Sequence, residues 1–246
     1  MPKDGTYADL ASEYYDPIRH PTCANFREGS RALIVCWLNE LVKSEDDVLE
    51  TGAGASLVAE WLEDEGQELS TLVIADSSKE MLRYSRRPSI PLKMLVCESQ
   101  RFPLASESFD IIVASLGDPY NTPAFWVEAT RLLRPNGHVI FTTPSFEWAV
   151  QFRDRGAAAE FVLRDGRTIS VPSFIESEER QREIIGQSGL VLIDVRSFQD
   201  TEIRSTPRSP KLRRGSIISG YLAAKEPRRK KLTSMGAVEL AEPQEC

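Results

Sequence analysis

Short β-branched runs alternate with longer amphipathic stretches through the middle of the chain, and this rhythm restricts the fold more than any other feature. The runs are Val48-Leu-Glu50, Leu72-Val-Ile-Ala-Asp76, Met94-Leu-Val-Cys97, Ile111-Ile-Val-Ala-Ser115 and His138-Val-Ile-Phe-Thr-Thr143. None alternates apolar with polar residues, as expected of strands covered on both faces. Between them, Leu57/Trp61 and Val58/Leu62 repeat at helical spacing before Gly66 ends the segment. Ser78 can cap a second helix that turns Met81, Leu82 and Tyr84 inward. Phe125, Ala129, Leu132 and Leu133 mark a third, stopped by Pro135-Asn-Gly137. Strand and helix in this succession imply an α/β protein with a parallel, doubly wound sheet.

Two pieces flank that core. Residues 1–45 are expected to form an N-terminal helical cap, with Leu33, Trp37 and Leu41 stacked along one helix. Residues 46–225 form the main domain, with a hairpin insertion near 155–175 turning at Asp165-Gly166. A helix from Glu178 to Gly189 and two further strands follow. Residues 226–246 carry Arg228-Arg-Lys-Lys231 and few apolar side chains, and read as a disordered tail.

Several chemistries are excluded at this level. The four cysteines stand at 23, 36, 97 and 246 without a Cys-x-x-Cys pair, and there are two histidines, so no metal site is expected. No Gly-x-Ser-x-Gly elbow is present, which removes the usual serine-hydrolase arrangement. The longest apolar run, Ala32 to Leu38, is far short of the roughly 20 residues a membrane span needs. Free cysteines and an N-terminus without a secretory apolar core point to the cytoplasm. A net charge of −7 argues against a general nucleic-acid binder.

The informative segment is Glu50-Thr-Gly52-Ala-Gly54-Ala-Ser56, which joins the first strand to its helix. Two glycines there let the backbone turn sharply and bring a ligand to the helix N-terminus. The next strand ends in Asp76, placed to accept hydrogen bonds from both hydroxyls of a ribose. The third ends near Glu98 and the fourth at Ser115. Polar residues at successive strand ends describe a binding crevice. A dinucleotide fingerprint wants a third glycine where Leu57 stands, and Glu50 would repel a pyrophosphate. A cofactor with a cationic centre and an amine at one end, S-adenosyl-L-methionine, fits better than NAD.

With these motifs the chain resembles the class I S-adenosylmethionine-dependent methyltransferases, in particular the type 11 small-molecule group. The matching stretches are Glu50 to Ser56, Asp76-Ser-Ser-Lys-Glu-Met-Leu82, Glu98-Ser-Gln-Arg-Phe-Pro-Leu104 with Ser108-Phe-Asp110, and Arg131-Leu-Leu-Arg-Pro-Asn-Gly137. The resemblance implies a Rossmann-like sheet of seven strands, mostly parallel with an antiparallel last strand. It implies that Glu50, Gly52 and Gly54 line the methionine end of the cofactor and that Asp76 takes the ribose. Ser77 and Met81 would lie beside the adenine, Glu98 and Ser99 would meet its amino group, and Ser115 would face the methyl-transfer side. Ser56 replaces a usual third glycine, and Glu98 a usual aspartate.

The acceptor is expected to be a small molecule. Tyr14 and Tyr15 are candidates for a lid over the cofactor, and His20 and Tyr15 are candidate general bases. Gly117-Asp-Pro-Tyr-Asn121 loosely matches the Asp-Pro-Pro-Tyr motif that holds a flipped adenine. It leaves an RNA- or DNA-directed methyltransferase as one alternative, and a catalytically silent cofactor-binding regulator is another.

Overall fold

The computed structural model describes residues 3–152 and 158–227. The chain enters through a two-residue strand, β1 (Lys3–Asp4), one helical turn, α1 (Tyr7–Leu10), and a long helix, α2 (Pro21–Leu41). Proline at the start of α2 sits where a helix has no use for an amide N–H. The alternating core follows: β2 (Asp47–Thr51), α3 (Leu57–Glu65), β3 (Thr71–Asp76), α4 (Lys79–Leu82), β4 (Lys93–Val96), β5 (Phe109–Ala114), α5 (Pro123–Leu132) and β6 (Leu133–Pro144). Then come α6 (Phe146–Ala149), β7 (Ala158–Val162), β8 (Thr168–Pro172), α7 (Glu178–Gln187), β9 (Leu190–Gln199) and β10 (Ser216–Lys225). Hydroxyls start the helices: Ser56, Ser78, Thr122, Ser145 and Ser177 each accept a hydrogen bond from an amide in the first turn of α3, α4, α5, α6 and α7. Gly66, at φ +62°, closes α3.

Seven strands form the main sheet in the order β4-β3-β2-β5-β6-β10-β9. All pairs from β4 to β6 are parallel, and β10 runs antiparallel to both its neighbours. The sheet is the mostly parallel one with a reversed last strand. Successive residues of one strand serve opposite layers. Ile111 and Val113 of β5 pack with Trp37 of α2 and Leu57 of α3, whereas Ile112 and Ala114 pack with Phe125 of α5 and Ile185 of α7. Burial on both faces is why β2, β3, β5 and β6 show no alternation, whereas the edge strand β4, expected to be covered, leaves Met94 and Val96 exposed. Connections leave β2 toward β3 on one side while β5 lies on the other, so the carboxyl ends of β2 and β5 flank a topological switch point.

Two details differ from the sequence reading. Pro135-Asn-Gly137 does not terminate a helix at a distance from the next strand. Helix α5 ends at Leu132, β6 starts at Leu133, and the register shifts between Phe109 and Ile111 of β5. Asn136, at φ +67°, absorbs the irregularity inside the strand. The N-terminal piece is not purely helical either. β1 pairs parallel with β8, and β8 pairs antiparallel with β7, giving a second, three-stranded sheet. Residues 228–246 of the expected tail, Arg228 to Lys231 included, lie outside the described residues. Among the described residues no helix is long and apolar enough to cross a membrane.

Candidate functional site

The turn after β2 is built on two left-handed glycines, Gly52 at φ +59° and Gly54 at φ +48°. A side chain at Gly52 would meet the Tyr120 ring at 2.5 Å, and one at Gly54 would collide with the Tyr15 hydroxyl. Both conformation and space therefore require glycine. Glu50 precedes the turn but does not line the crevice beside it. Its carboxylate is wholly buried, accepting from the Leu57 amide at 2.9 Å, the Val58 amide at 3.3 Å and the Ser56 hydroxyl. The expected contact of Glu50 with the methionine end is thus replaced by a grip on the N-terminus of α3, where a negative charge meets unpaired amides. Burial pushes this carboxyl up to about 7, against the pull of those hydrogen bonds.

Asp76 ends β3 at the rim of the same crevice. It is 8% exposed. One carboxylate oxygen accepts from the Gly54 amide at 2.9 Å and the other from the Ser78 amide at 2.8 Å. The side chain therefore ties the glycine turn to the start of α4 instead of standing free in water. Burial raises its carboxyl above the usual aspartate range. Ser77, Met81, Glu98 and Ser99 line the crevice with it. Ser99 shares a hydrogen bond with Thr51, hydroxyl to hydroxyl, at 2.7 Å. Ser115 lines the crevice from the end of β5, and its hydroxyl meets that of Ser30 in α2, which also meets Thr142 of β6, each at 2.7 Å. The next residue, Leu116, is held at φ +49°, a conformation unfavourable for leucine.

The crevice encloses about 320 Å³. Tyr14 and Tyr15 close part of it, the Tyr15 hydroxyl accepting from the Ala55 amide at 2.6 Å. Burial raises the Tyr15 phenol above its ordinary range, so it stays protonated at neutral pH and is a poor base. His20 is corrected more fully. It is buried away from the crevice, packs edge-on against Phe161, and its Nε2 lies 3.7 Å from Glu13. It touches nothing that could react there.

Other crevice residues carry no sequence signal of their own. Arg27 of α2 donates to the Ala55 carbonyl at 2.9 Å and to Glu60 at 2.7 Å, with its guanidinium 5.7 Å from the centre of the Tyr15 ring. Tyr120 donates to the Thr51 carbonyl at 2.8 Å and covers Gly52. Its loop was visible as Gly117-Asp-Pro-Tyr-Asn121, but not its docking on the glycine turn. Asp118, the acid of that motif, is buried, accepts from the Ser173 hydroxyl and does not line the crevice, while Asn121 beside it is committed to Gln181, the Phe174 carbonyl and the Trp126 indole. A second cavity of about 450 Å³ lies behind Tyr14, Tyr15 and Arg27, which border both spaces.

Residues 49–141 match the family described as a methyltransferase domain. A probable pectin methyltransferase, QUA3, of Arabidopsis thaliana is 24% identical over 49% of this chain and 22% of its own length. The curated relatives are matched over only 22%, 27% and 46% of their lengths. Among solved structures, an S-adenosylmethionine-dependent methyltransferase from Mesorhizobium loti superposes with a TM-score of 0.60, at 15% identity, over 81% of this chain and all of that one. The 1,6-didemethyltoxoflavin-N1-methyltransferase of Burkholderia thailandensis, solved with S-adenosylhomocysteine, gives 0.54 at 19% identity, over 89% of this chain and 86% of that one.

Proposed function

We propose that this chain, a class I S-adenosylmethionine-dependent methyltransferase of the type 11 kind by motif and fold, transfers a methyl group to a small-molecule acceptor. The observation that carries this reading is the junction of the Gly52–Gly54 turn with the Asp76 carboxylate at one enclosed crevice. The charged side chains lining it are Asp76, Glu98 and Arg27. Two acids and one base suit a nucleoside joined to an amino acid and lack the cations a pyrophosphate would require.

In this reading Asp76 keeps its amide bonds and offers its remaining lone pairs to the ribose hydroxyls. Ser77 and Met81 flank the adenine, and Glu98 and Ser99 meet its amino group. The side-chain-free turn at Gly52 and Gly54 takes the methionine end once Tyr15 swings aside, and the Arg27 guanidinium faces its carboxylate. Tyr15 folds over the turn and excludes water, while Ser115 borders the transfer side. When bound, S-adenosylmethionine supplies a methyl group already activated on a sulfonium. The chain's own work is alignment, which supplies roughly 7–11 kcal/mol in favourable cases. Burial of Asp118 against the Ser173 hydroxyl, outside the crevice, weighs against the nucleic-acid alternative. Calorimetry with S-adenosylhomocysteine tests the reading, and absence of binding by folded protein would reject it.

A further inference from the structure

Away from the glycine turn, the crevice is walled by Tyr7, Tyr14, Leu116, Pro119, Val171 and Pro172. None of these carries a charge. They come from four separate places: the N-terminal segment at Tyr7, the turn after α1 at Tyr14, the loop after β5, and strand β8. The parallel pairing of Lys3 with Ile169 and Asp4 with Ser170 brings the first and last of these together.

The aromatic side chains here are arranged edge to face. Tyr7 lies 5.8 Å from Tyr14 at an interplanar angle of 75° and 6.5 Å from Phe161 at 65°. Tyr14 in turn meets Tyr15 at 5.0 Å and 90°. Tyr7 is enclosed by protein but keeps part of its surface accessible, and it lines the crevice. The charged side chains of the crevice, Arg27, Asp76 and Glu98, come from α2, β3 and the segment after β4, none of which carries this wall. Arg27 is bound to the Ala55 carbonyl and Glu60, and Asp76 is bound to the Gly54 and Ser78 amides. Asp118, beneath the wall, accepts from the Ser173 hydroxyl and does not line the space.

We infer that this wall selects a flat, uncharged aromatic acceptor, with Tyr7 as the specificity-determining residue. The inference rests on the methyl-transfer reading above and names its substrate class. A carboxylate or phosphate entering this end would lose its water without gaining a counter-ion. A planar apolar ring loses little on leaving water and gains contact with aromatic side chains that prefer offset or edge-on neighbours.

The test uses the full chain saturated with S-adenosylhomocysteine, titrated with naphthol and with its carboxylated analogue hydroxynaphthoate. Naphthol is expected to bind at least about tenfold more tightly than hydroxynaphthoate. Tyr7→Ala should weaken naphthol binding by about tenfold or more, and Tyr7→Phe by less than about threefold. Both variants should hold S-adenosylhomocysteine within about twofold of the parent, which shows the fold and cofactor end intact. Equal or tighter binding of hydroxynaphthoate, no binding of naphthol, or naphthol binding unaffected by Tyr7→Ala would each overturn the inference. Failure of S-adenosylhomocysteine to bind would instead strike the methyl-transfer reading. Naphthol titrated into the free protein then reads the aromatic wall by itself.

Discussion

Asp76 shows what residue-level reading captures and what it misses. Its place at the end of β3 and beside the glycine turn is legible, because strand patterning and motif spacing are local. Its two backbone partners are not, since one of them, the Gly54 amide, comes from 22 positions away. A carboxylate facing water would be removable without harm to the free protein. One that satisfies two buried amides is not. Asp76→Ala is expected to weaken S-adenosylhomocysteine binding by at least about tenfold and also to destabilise the free protein by about 1–3 kcal/mol. Calorimetry and urea denaturation read the two effects separately. Glu50 gives a signed pH prediction. Its folded value near 7 lies above its ordinary 4.5, so between these limits the native state holds more protons than the unfolded chain. Its contribution to stability is complete below the lower limit and is lost as pH rises through the upper one. Glu50→Gln removes that titration, so the change in urea midpoint from pH 5 to pH 7 should be less negative, or more positive, than in the parent.

At the scale of elements, the core strands were readable because burial on both faces leaves a continuous apolar run. The same logic fails at the ends. β1 is two residues long and has no periodicity to detect, and β6 begins just before a Pro-Asn-Gly sequence, which ordinarily signals a turn, and runs through it. Helix α3 carries the most consequential start in the fold. Ser56 accepts from the Ala59 amide at 2.9 Å and donates to Glu50, so one hydroxyl both caps the helix and satisfies a lone pair of a buried carboxylate. Ser56→Ala should cost about 1–3 kcal/mol, toward the upper end because Glu50 also loses a donor. Thermal or chemical denaturation measures it. A loss below about 0.5 kcal/mol would show that the Leu57 and Val58 amides suffice for Glu50.

For the whole molecule, the cofactor end of the crevice is proposed to be assembled from consecutive strand ends, whereas the proposed acceptor end joins the N-terminal segment, the loop after β5 and strand β8, which are far apart in sequence. That difference explains why Gly52, Gly54 and Asp76 could be picked from sequence while Tyr7, Val171 and Pro172 could not. The closure at the acceptor end is slight. It includes β1 against β8 and a Gly5 amide bonded to the Ser170 carbonyl at 2.9 Å, beside a small buried cluster of Leu10, Leu163, Ile169 and Val171. A side chain at Gly5 would meet Ile169 at 2.6 Å. Gly5→Val should therefore lift this strand, speeding amide hydrogen exchange across residues 3–7 and 168–172 while leaving β5 protected as before. The Tyr15 hydroxyl resting on the Ala55 amide carries a different kind of consequence, one of sequence in time. A ring seated across the turn that admits the cofactor must move aside before the cofactor enters or departs. In the reading proposed above, the acceptor sits at the far wall, away from this ring. Turnover should accordingly be ordered, with S-adenosylhomocysteine released last and inhibiting competitively against S-adenosylmethionine, and methylated product inhibiting non-competitively. Tyr15→Ala should make release of the two products random.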